Sequence, residues 1–370
     1  MIKKISKEIK HPKKLIVKKR TARVTKHASK PQIYKSWLTK AEQNPIISPK
    51  SENNWESWQT FNPGVILLND KIHFLYRAIG EDSFSRFGYA SSQNGFIIDE
   101  RLTSHVYEHN TNTSLFHYAS FASGGSWGGS EDPRLVRVNG EDVLYMVYTV
   151  CDHGLRMALT SISINDFLQK KWEWKSPILI SPPEELHKNW VIFPEKINGK
   201  YAILHRIIPN IEIAYLDDLD FNQDPFIHSL HLSTPQKNNN SGKCWDKQIR
   251  GPGAPPLKTK EGWLLFYHAM DHDWSKYKVG VMLLDINDPT KILHRAKNPV
   301  LVPDELYENN GFKSGIVFVS GAVIKDENLL IYYGCSDSYV SVAYANLNIF
   351  LEALEKDVEP KLKVKMLKQK

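Results

Sequence analysis

Apolar positions along this chain fall in short runs rich in β-branched and aromatic residues, and the runs come in pairs. VILLNDKIHFLYRA follows Phe61-Asn62-Pro63-Gly64, and LVRVNGEDVLYMVYT follows Glu131-Asp132-Pro133-Arg134. INGKYAILHR follows Phe193-Pro194-Glu195-Lys196, LKTKEGWLLFYH follows Gly251-Pro252-Gly253-Ala254-Pro255-Pro256, and VIKDENLLIYYG follows Val319-Ser320-Gly321-Ala322. A polar pair splits each unit: Asn69-Asp70, Asn139-Gly140, Asn198-Gly199, Glu261-Gly262 and Asp326-Glu327. Such pairs accept the positive φ of a tight hairpin. A further strand-like run follows each pair: FGYASS, RMALTSIS, IEIAYLD, VGVMLLD and VSVAYANL. Side chains of these types suit a pleated surface. Helix is predicted only at Ile349–Lys356 and within part of residues 1–30.

The units begin at residues 62, 132, 194, 252 and 320, spaced by 70, 62, 58 and 68 residues. Repeats of roughly this size, with about four strands each, mark propeller blades, so these blades carry longer insertions. The expectation is an all-β, five-bladed β-propeller over residues 31–350. A basic extension, partly disordered or helical, is expected on each side, at 1–30 and 351–370. A pair of packed β-sandwiches is the alternative, but it does not explain why one phase recurs five times.

Charge sharpens that division. The whole chain carries +7. Residues 1–30 hold twelve Lys or Arg against Glu8 alone, and residues 361–370 add five Lys, so residues 31–360 are net −9. The basic character belongs to the tails. Basic tails can meet nucleic acid or an anionic surface, but a solvated extension accounts for them as well, and no nucleic-acid-binding motif accompanies them. Cys151, Cys244 and Cys335 are far apart and odd in number, which suggests neither a disulfide framework nor a zinc site. No apolar run approaches the ~20 residues of a membrane span, and no signal peptide is legible. A soluble cytoplasmic protein without a membrane partner is expected, and a homo-oligomer is left open.

In a propeller, residues at one phase of every unit converge on a central pocket. The unit starts contribute Asn62, Glu131, Asp132, Arg134 and Glu195; the ends of second strands contribute Arg77, His205, Arg206, His268 and Asp337. Charged groups are rarely buried unless paired or functional. Asp132 reads two ways: a cleft acid with a raised pKa, or an acid that pairs with Arg134 and orders a proline turn. Arg206 and His268 have the same alternative as satisfied core residues. Trp127, in GGSWGGSEDPR, is a candidate for stacking on a sugar ring, with plain packing as the alternative.

Trp55-Glu56 with FNPG, then YRA, SRFGYA, SEDPR, FPEKINGKY, LHR, GPGAPP, FYHAMD and YYGCSD, together resemble glycoside hydrolase family 130 over about residues 45–345. That resemblance implies a five-bladed propeller and cleavage of β-mannosides by inorganic phosphate, with inversion to α-mannose 1-phosphate. A smaller group of the family hydrolyses its substrates. The resemblance makes Asp132 the sole general acid, acting through the 3-hydroxyl of the mannosyl unit in the −1 subsite. It places Asn62, Arg77, Arg86 and Asp337 on that sugar, and Lys188, Arg206, His268 and Tyr277 on phosphate. Lys188 stands where the family usually has Arg, which supplies charge without a bidentate fork. No cofactor or metal is implied; phosphate is a co-substrate and a mannosyl oligosaccharide the partner.

The chemistry is coherent. An inverting hydrolase needs two carboxylates about 6.5–9.5 Å apart, one to activate water. A phosphorylase needs only the acid, with cations replacing the second carboxylate. No Asp or Glu occupies the positions of Lys188, Arg206 and His268, which favours phosphorolysis. A β-mannosidase using water and a non-catalytic carbohydrate-binding propeller are the alternatives. The WE…FNPG opening and YRAIGEDSFSRFGYA resemble the branch acting on β-1,2-mannosides, with the β-1,4 branch open.

Overall fold

The computed structural model describes residues 37–109, 118–151, 154–207, 210–222, 225–228, 245–270 and 276–356. The expectations for residues 1–30 and for most of the C-terminal tail lie outside these residues. The described chain is mostly β-sheet with few helices.

Five antiparallel meanders follow one another. The first comprises Gln59–Leu68, Lys71–Ile79, Phe84–Ser92 and Glu100–Arg101. The second comprises Gly128–Arg137, Val143–Cys151, Leu155–Ser163 and Ile178–Leu179. The third is shorter, with Val191–Ile192, Tyr201–Arg206 and Glu212–Leu216. The fourth contains Gln248–Pro252, Leu257–Lys258, Trp263–Met270, Tyr277–Leu284 and Ile292–Arg295. The fifth runs Val317–Lys325, Asn328–Cys335 and Tyr339–Asn346, and Thr39–Lys40 from the other end of the chain adds its outer strand.

The expected turns are where the sequence put them. Asn69, Asp70, Asn198, Asp326 and Glu327 all adopt positive φ, between 49° and 61°. The final helix spans Leu347–Glu355, with the Asn346 side chain accepting from the Ile349 amide. The short helices Tyr118–Gly124 and Ile164–Leu168 were not anticipated. The third unit departs from expectation too. Its first strand ends at Ile192, before Pro194, which has no amide to donate to a ladder.

Strands buried on both faces explain the runs of apolar residues, because successive side chains then serve different cores. In Trp263–Met270, Trp263, Leu265, Tyr267 and Ala269 pack with the third meander, while Leu264 and Phe266 pack with the fifth. In Asn328–Cys335, Leu329, Ile331 and Tyr333 face the fourth meander, while Leu330 and Tyr332 face the first. Two further clusters join the first meander to the second, through Leu75, Phe87, Leu144 and Tyr148, and the second to the third, through Val136, Val147, Ile192 and Ile203. Every meander therefore shares a core with the next, and the fifth shares one with the first.

Four of the five first strands carry a bulge at one phase: between Phe61 and Gly64, Glu131 and Arg134, Ile249 and Gly251, and Val319 and Gly321. A bulge breaks the alternation of the pleat and re-aims the side chains beside it. Two of these bulges hold Asn62 and Asp132. Among the described residues no helix is long and apolar enough to cross a membrane, and Cys151 and Cys335 are buried.

The joint between the two ends of the described chain is charged. Lys40 donates to Glu308 Oε2 at 2.6 Å and to the Val302 carbonyl at 2.9 Å, and it pairs with Asp304. Glu308 is fully buried, and burial raises its pKa in spite of Lys40. Lys40→Met should therefore lower stability by about 3 kcal/mol at neutral pH, because it strands a buried carboxylate. A urea titration would show this as a lower midpoint with unchanged slope. The deficit should shrink in acid, where Glu308 takes up a proton.

Candidate active site

The bulges at Asn62 and Asp132 put two polar side chains in contact from adjacent meanders. Both residues hold positive φ, 45° and 51°, ahead of a proline. Non-glycine residues in this region cost free energy and persist where surroundings over-determine them. Asn62 Nδ2 donates to Asp132 Oδ1 at 2.8 Å. Gly334 makes the approach feasible, since a Cβ there would lie 1.9 Å from Asn62 Oδ1.

Around this pair stands a buried cluster of charges. Arg77 lies 3.3 Å from Asp132 Oδ1 and 3.2 Å from Glu131 Oε1. Lys188 lies 3.3 Å from Asp132 Oδ2 and 3.0 Å from Glu131 Oε2. The two cations thus span both carboxylates. Arg77 is oriented by Ser85 Oγ at 2.8 Å and Ser126 Oγ at 3.0 Å, with Phe61 beneath its guanidinium. Glu131 also accepts from Ser120 at 2.7 Å and Ser123 at 2.6 Å, both on the Tyr118–Gly124 helix. Ser123 further accepts a bond from Lys188.

Of the two readings of Asp132, a cleft acid with a raised pKa or an acid paired with Arg134, electrostatics does not support the first. Burial does push the Asp132 pKa upward, but Lys188, Arg77, Arg134 and the bond from Asn62 outweigh burial and hold the carboxyl well below its ordinary value. Glu131 is likewise lowered, since Arg77, Lys188 and the Ser123 hydroxyl outweigh burial. Without a ligand both carboxylates are ionised. Asp337, at φ 48° in the fifth meander, behaves oppositely: burial raises its pKa, although Lys313 stands 3.3 Å away.

A second layer continues into the third and fourth meanders. Arg134 donates to the Asp132 carbonyl, to Gly253 O at 3.1 Å and to Asn189 Oδ1 at 3.0 Å. Burial pushes its pKa down to about 10. Asn189 donates to the Arg250 carbonyl at 3.1 Å, and Arg250 Nε donates to Tyr277 Oη at 3.0 Å. His268 stacks on Phe318 at 3.9 Å, beside the Arg134 guanidinium that lies over the same ring.

His268 was expected to act as a cation, and the structure corrects this. Burial, reinforced by Arg134, pushes its pKa down to about 3. Nε2 lies 2.7 Å from the Val319 carbonyl, so Nε2 carries the hydrogen and Nδ1 offers a lone pair. Both His268 Nδ1 and Asn62 Oδ1 are buried without a hydrogen-bond partner. Buried acceptors left unsatisfied call for an explanation, and a ligand donor supplies one.

The structure therefore joins Asn62, Arg77, Asp132 and Lys188 directly, with His268 and Tyr277 in the layer around Phe318. Asp337 adjoins them through Gln59, whose amide donates to the Asp337 carbonyl at 2.7 Å. Arg206 is buried in the third meander and lies 3.4 Å from Glu212. Arg86 is engaged by Asp82 and Glu108, both half-exposed. His205 packs on Trp190, and burial pushes its pKa down to about 4. Glu195, taken from its unit start as a pocket candidate, instead pairs with Lys258 away from this cluster, because the first strand of that unit stops short of it. Sequence reasoning missed Ser120, Ser123, Asn189 and Lys313, which lie in segments between the meanders, and Arg250, which lies in the first strand of the fourth. The neighbours of Lys188 were the one signal pointing to Asn189. Among the described residues no group of three or more His, Cys, Asp or Glu is placed to hold a metal.

The family model for glycoside hydrolase 130, described as beta-1,4-mannooligosaccharide phosphorylase, matches residues 25–356. A 1,2-beta-oligomannan phosphorylase of Thermoanaerobacter sp. (strain X514) is 36% identical over 321 residues, 83% of this chain and 96% of the relative. A beta-1,2-mannobiose phosphorylase of the same organism is 33% identical over the same shares. The solved beta-1,2-mannobiose phosphorylase of Listeria innocua superposes with a TM-score of 0.65 at 24% identity, covering 86% of this chain and 99% of that one.

The lowered pKa values set an acid limb for stability. Glu131 and Asp132 contribute in full above their ordinary values of 4.5 and 3.8, and their contribution is lost as pH falls toward the folded values. Glu131→Gln should lower stability at pH 7 by about 3 kcal/mol. It should also flatten the fall in stability between about pH 4.5 and pH 2, read by denaturant midpoints at each pH.

Proposed function

The chain belongs to glycoside hydrolase family 130, and from that premise we propose that it is an inverting β-mannoside phosphorylase that uses inorganic phosphate to release α-mannose 1-phosphate. The observation that carries the reading is the pair of cations, Lys188 and Arg77, each 3.3 Å from Asp132, which suits an anionic nucleophile rather than a base for water. Glu131 is the carboxylate that shares Arg77 and Lys188 with Asp132. It is fully buried and already receives bonds from Arg77, Lys188, Ser120 and Ser123, so it is not available to activate water. The β-1,2 linkage is the finer reading, supported by the names of the two relatives above and by the YRAIGEDSFSRFGYA stretch. The five consecutive shared cores, with the fifth meander packed on the first, support a five-bladed propeller as the scaffold.

In this reading the −1 mannosyl unit lies on Asn62, Arg77, Arg86 and Asp337. Phosphate is held by Lys188, Arg206 and Tyr277, and a protonated phosphate oxygen donates to His268 Nδ1. A phosphate oxygen bonds to C1 from the α face as the β C1–O bond breaks. The leaving oxygen takes a proton relayed from Asp132 through the 3-hydroxyl, and Asp132 regains a proton from the new phosphate monoester. Because Asp132 is held ionised, it first takes a proton from the incoming dihydrogen phosphate, and that proton is the one it relays. Phosphate draws Lys188 toward itself and adds negative charge, and both effects raise the Asp132 pKa.

The test is release of sugar phosphate from β-1,2- and β-1,4-mannobiose, each with and without inorganic phosphate. Mannose 1-phosphate formed only with phosphate is the expected result. Free mannose formed without phosphate would move the protein to the hydrolases. Asp132→Asn should reduce kcat by at least about 100-fold with the fold intact; near-wild-type turnover would remove its role. Arg206→Ala should raise KM for phosphate about tenfold, the loss of one charge-assisted contact. An unchanged phosphate dependence would take Arg206 out of the anion site.

A further inference from the structure

Lys188 carries a point charge on a flexible stem, yet its ammonium is held from three sides. An ammonium has three N–H donors and no acceptor, and a four-carbon stem loses much rotamer freedom when it is fixed. Three oxygens meet this one: Glu131 Oε2 at 3.0 Å, Asp132 Oδ2 at 3.3 Å and the Ser123 hydroxyl. Two of them are charged and belong to the carboxylate pair. The third is neutral and comes from the Tyr118–Gly124 helix. The Lys188 side chain is 25% exposed, so its charge is open to an incoming ligand as well as to water.

The Ser123 hydroxyl has a fixed sense. It donates its proton to Glu131 Oε2 at 2.6 Å, which leaves its lone pairs for Lys188. The Ser123 carbonyl accepts from Arg77 Nη1 at 3.4 Å, so one residue touches both cations. The backbone around Ser123 is anchored by other groups. Lys313 donates to the Ala122 carbonyl on one side, and Gln59 donates to the Gly124 carbonyl at 2.8 Å on the other. Ser120, one turn earlier, hydrogen-bonds Glu131 Oε1 at 2.7 Å and Ser126 at 2.8 Å rather than Lys188. The two serines therefore support the same carboxylate, but Ser123 alone of the pair reaches the ammonium.

We propose that Ser123 is a positioning residue for the anion site: its hydroxyl shares the Lys188 ammonium with the two carboxylates and keeps it from closing onto them, so that its charge is available to an incoming phosphate. The phosphate partner of Lys188 rests on the phosphorolysis reading above; the seat of the ammonium rests on the contacts just given. A neutral oxygen suits this task. A third carboxylate would repel phosphate, and an apolar side chain would leave one N–H without its acceptor and let the ammonium move onto Asp132.

Steady-state kinetics with phosphate and the mannobiose that wild type cleaves test this in wild type, Ser123→Ala, Ser123→Thr and Ser120→Ala. Ser123→Ala should raise KM for phosphate about tenfold, as expected for one hydrogen bond to a charged group, and leave KM for the disaccharide within about twofold. Ser123→Thr keeps the hydroxyl and should recover most of the loss. Ser120→Ala removes a bond of the same kind to Glu131 and none to Lys188, so it should move KM for phosphate far less. An unchanged or lowered KM for phosphate in Ser123→Ala overturns the proposal. So does an equal shift in both alanine variants, because the serines would then only support Glu131. A second measurement does not depend on turnover: the rise in thermal midpoint on adding phosphate without sugar. It should be smaller in Ser123→Ala than in wild type, and an equal rise overturns the proposal. Wild-type turnover that ignores phosphate, with a midpoint that phosphate does not move, would sink the phosphorolysis reading and this proposal with it. A phosphate-dependent wild type beside an unaffected Ser123→Ala would sink this proposal alone.

Discussion

Two neighbouring carboxylates, Glu131 and Asp132, are held out of water, and much of the surrounding structure is arranged to make that tolerable. Isolated buried charges are costly, and two like charges side by side are worse. Arg77 and Lys188 resolve this because each reaches both acids. Arg77 lies in the first meander and Lys188 in the segment leading from the second into the third, so the cluster exists only when all three are assembled. The bulge at Asp132, the close approach permitted by Gly334 and the serines of the Tyr118–Gly124 helix all serve the same centre.

Much of the scaffold was legible because its signals are local. Paired apolar runs, polar turn dipeptides and a recurring start phase reflect strand pairing and hairpin geometry, which a few adjacent residues determine. The Asn62 and Asp132 bulges could be located from the same phase. The short helices at Tyr118–Gly124 and Ile164–Leu168 were not legible. Each is too short to show a helical period, and the first is positioned by contacts to Glu131 and Lys188. Glu195 was misplaced because a correct turn at Asn198-Gly199 was extended backward through Pro194, which ended the strand instead.

At the site, residue types were legible but charge states were not. His268 reads as a cation in isolation, yet enclosure beside Arg134 keeps it neutral. Asp132 reads either as a cleft acid with a raised pKa or as a paired acid, and its three cationic neighbours keep it ionised. Both charge states arise from side chains distant in sequence. They also change the chemistry the cluster offers: fixed positive charge comes from lysine and arginine, whereas the histidine offers a buried acceptor.

The outer strand Thr39–Lys40 has a consequence for how the chain is made. Asn44 and Val342, 298 residues apart, hydrogen-bond in both directions, and the strand beside them pairs with Tyr339–Asn346. During synthesis that early strand waits for its partner until nearly all of the described chain has emerged. Contacts of such long range fold slowly, and until they form the first meander presents an apolar face and the early strand an unpaired edge. Ribosomal pausing or truncation before residue 339 would leave every internal meander present but the circuit of cores unfinished. The last strands to be made are thus the ones that close the circuit.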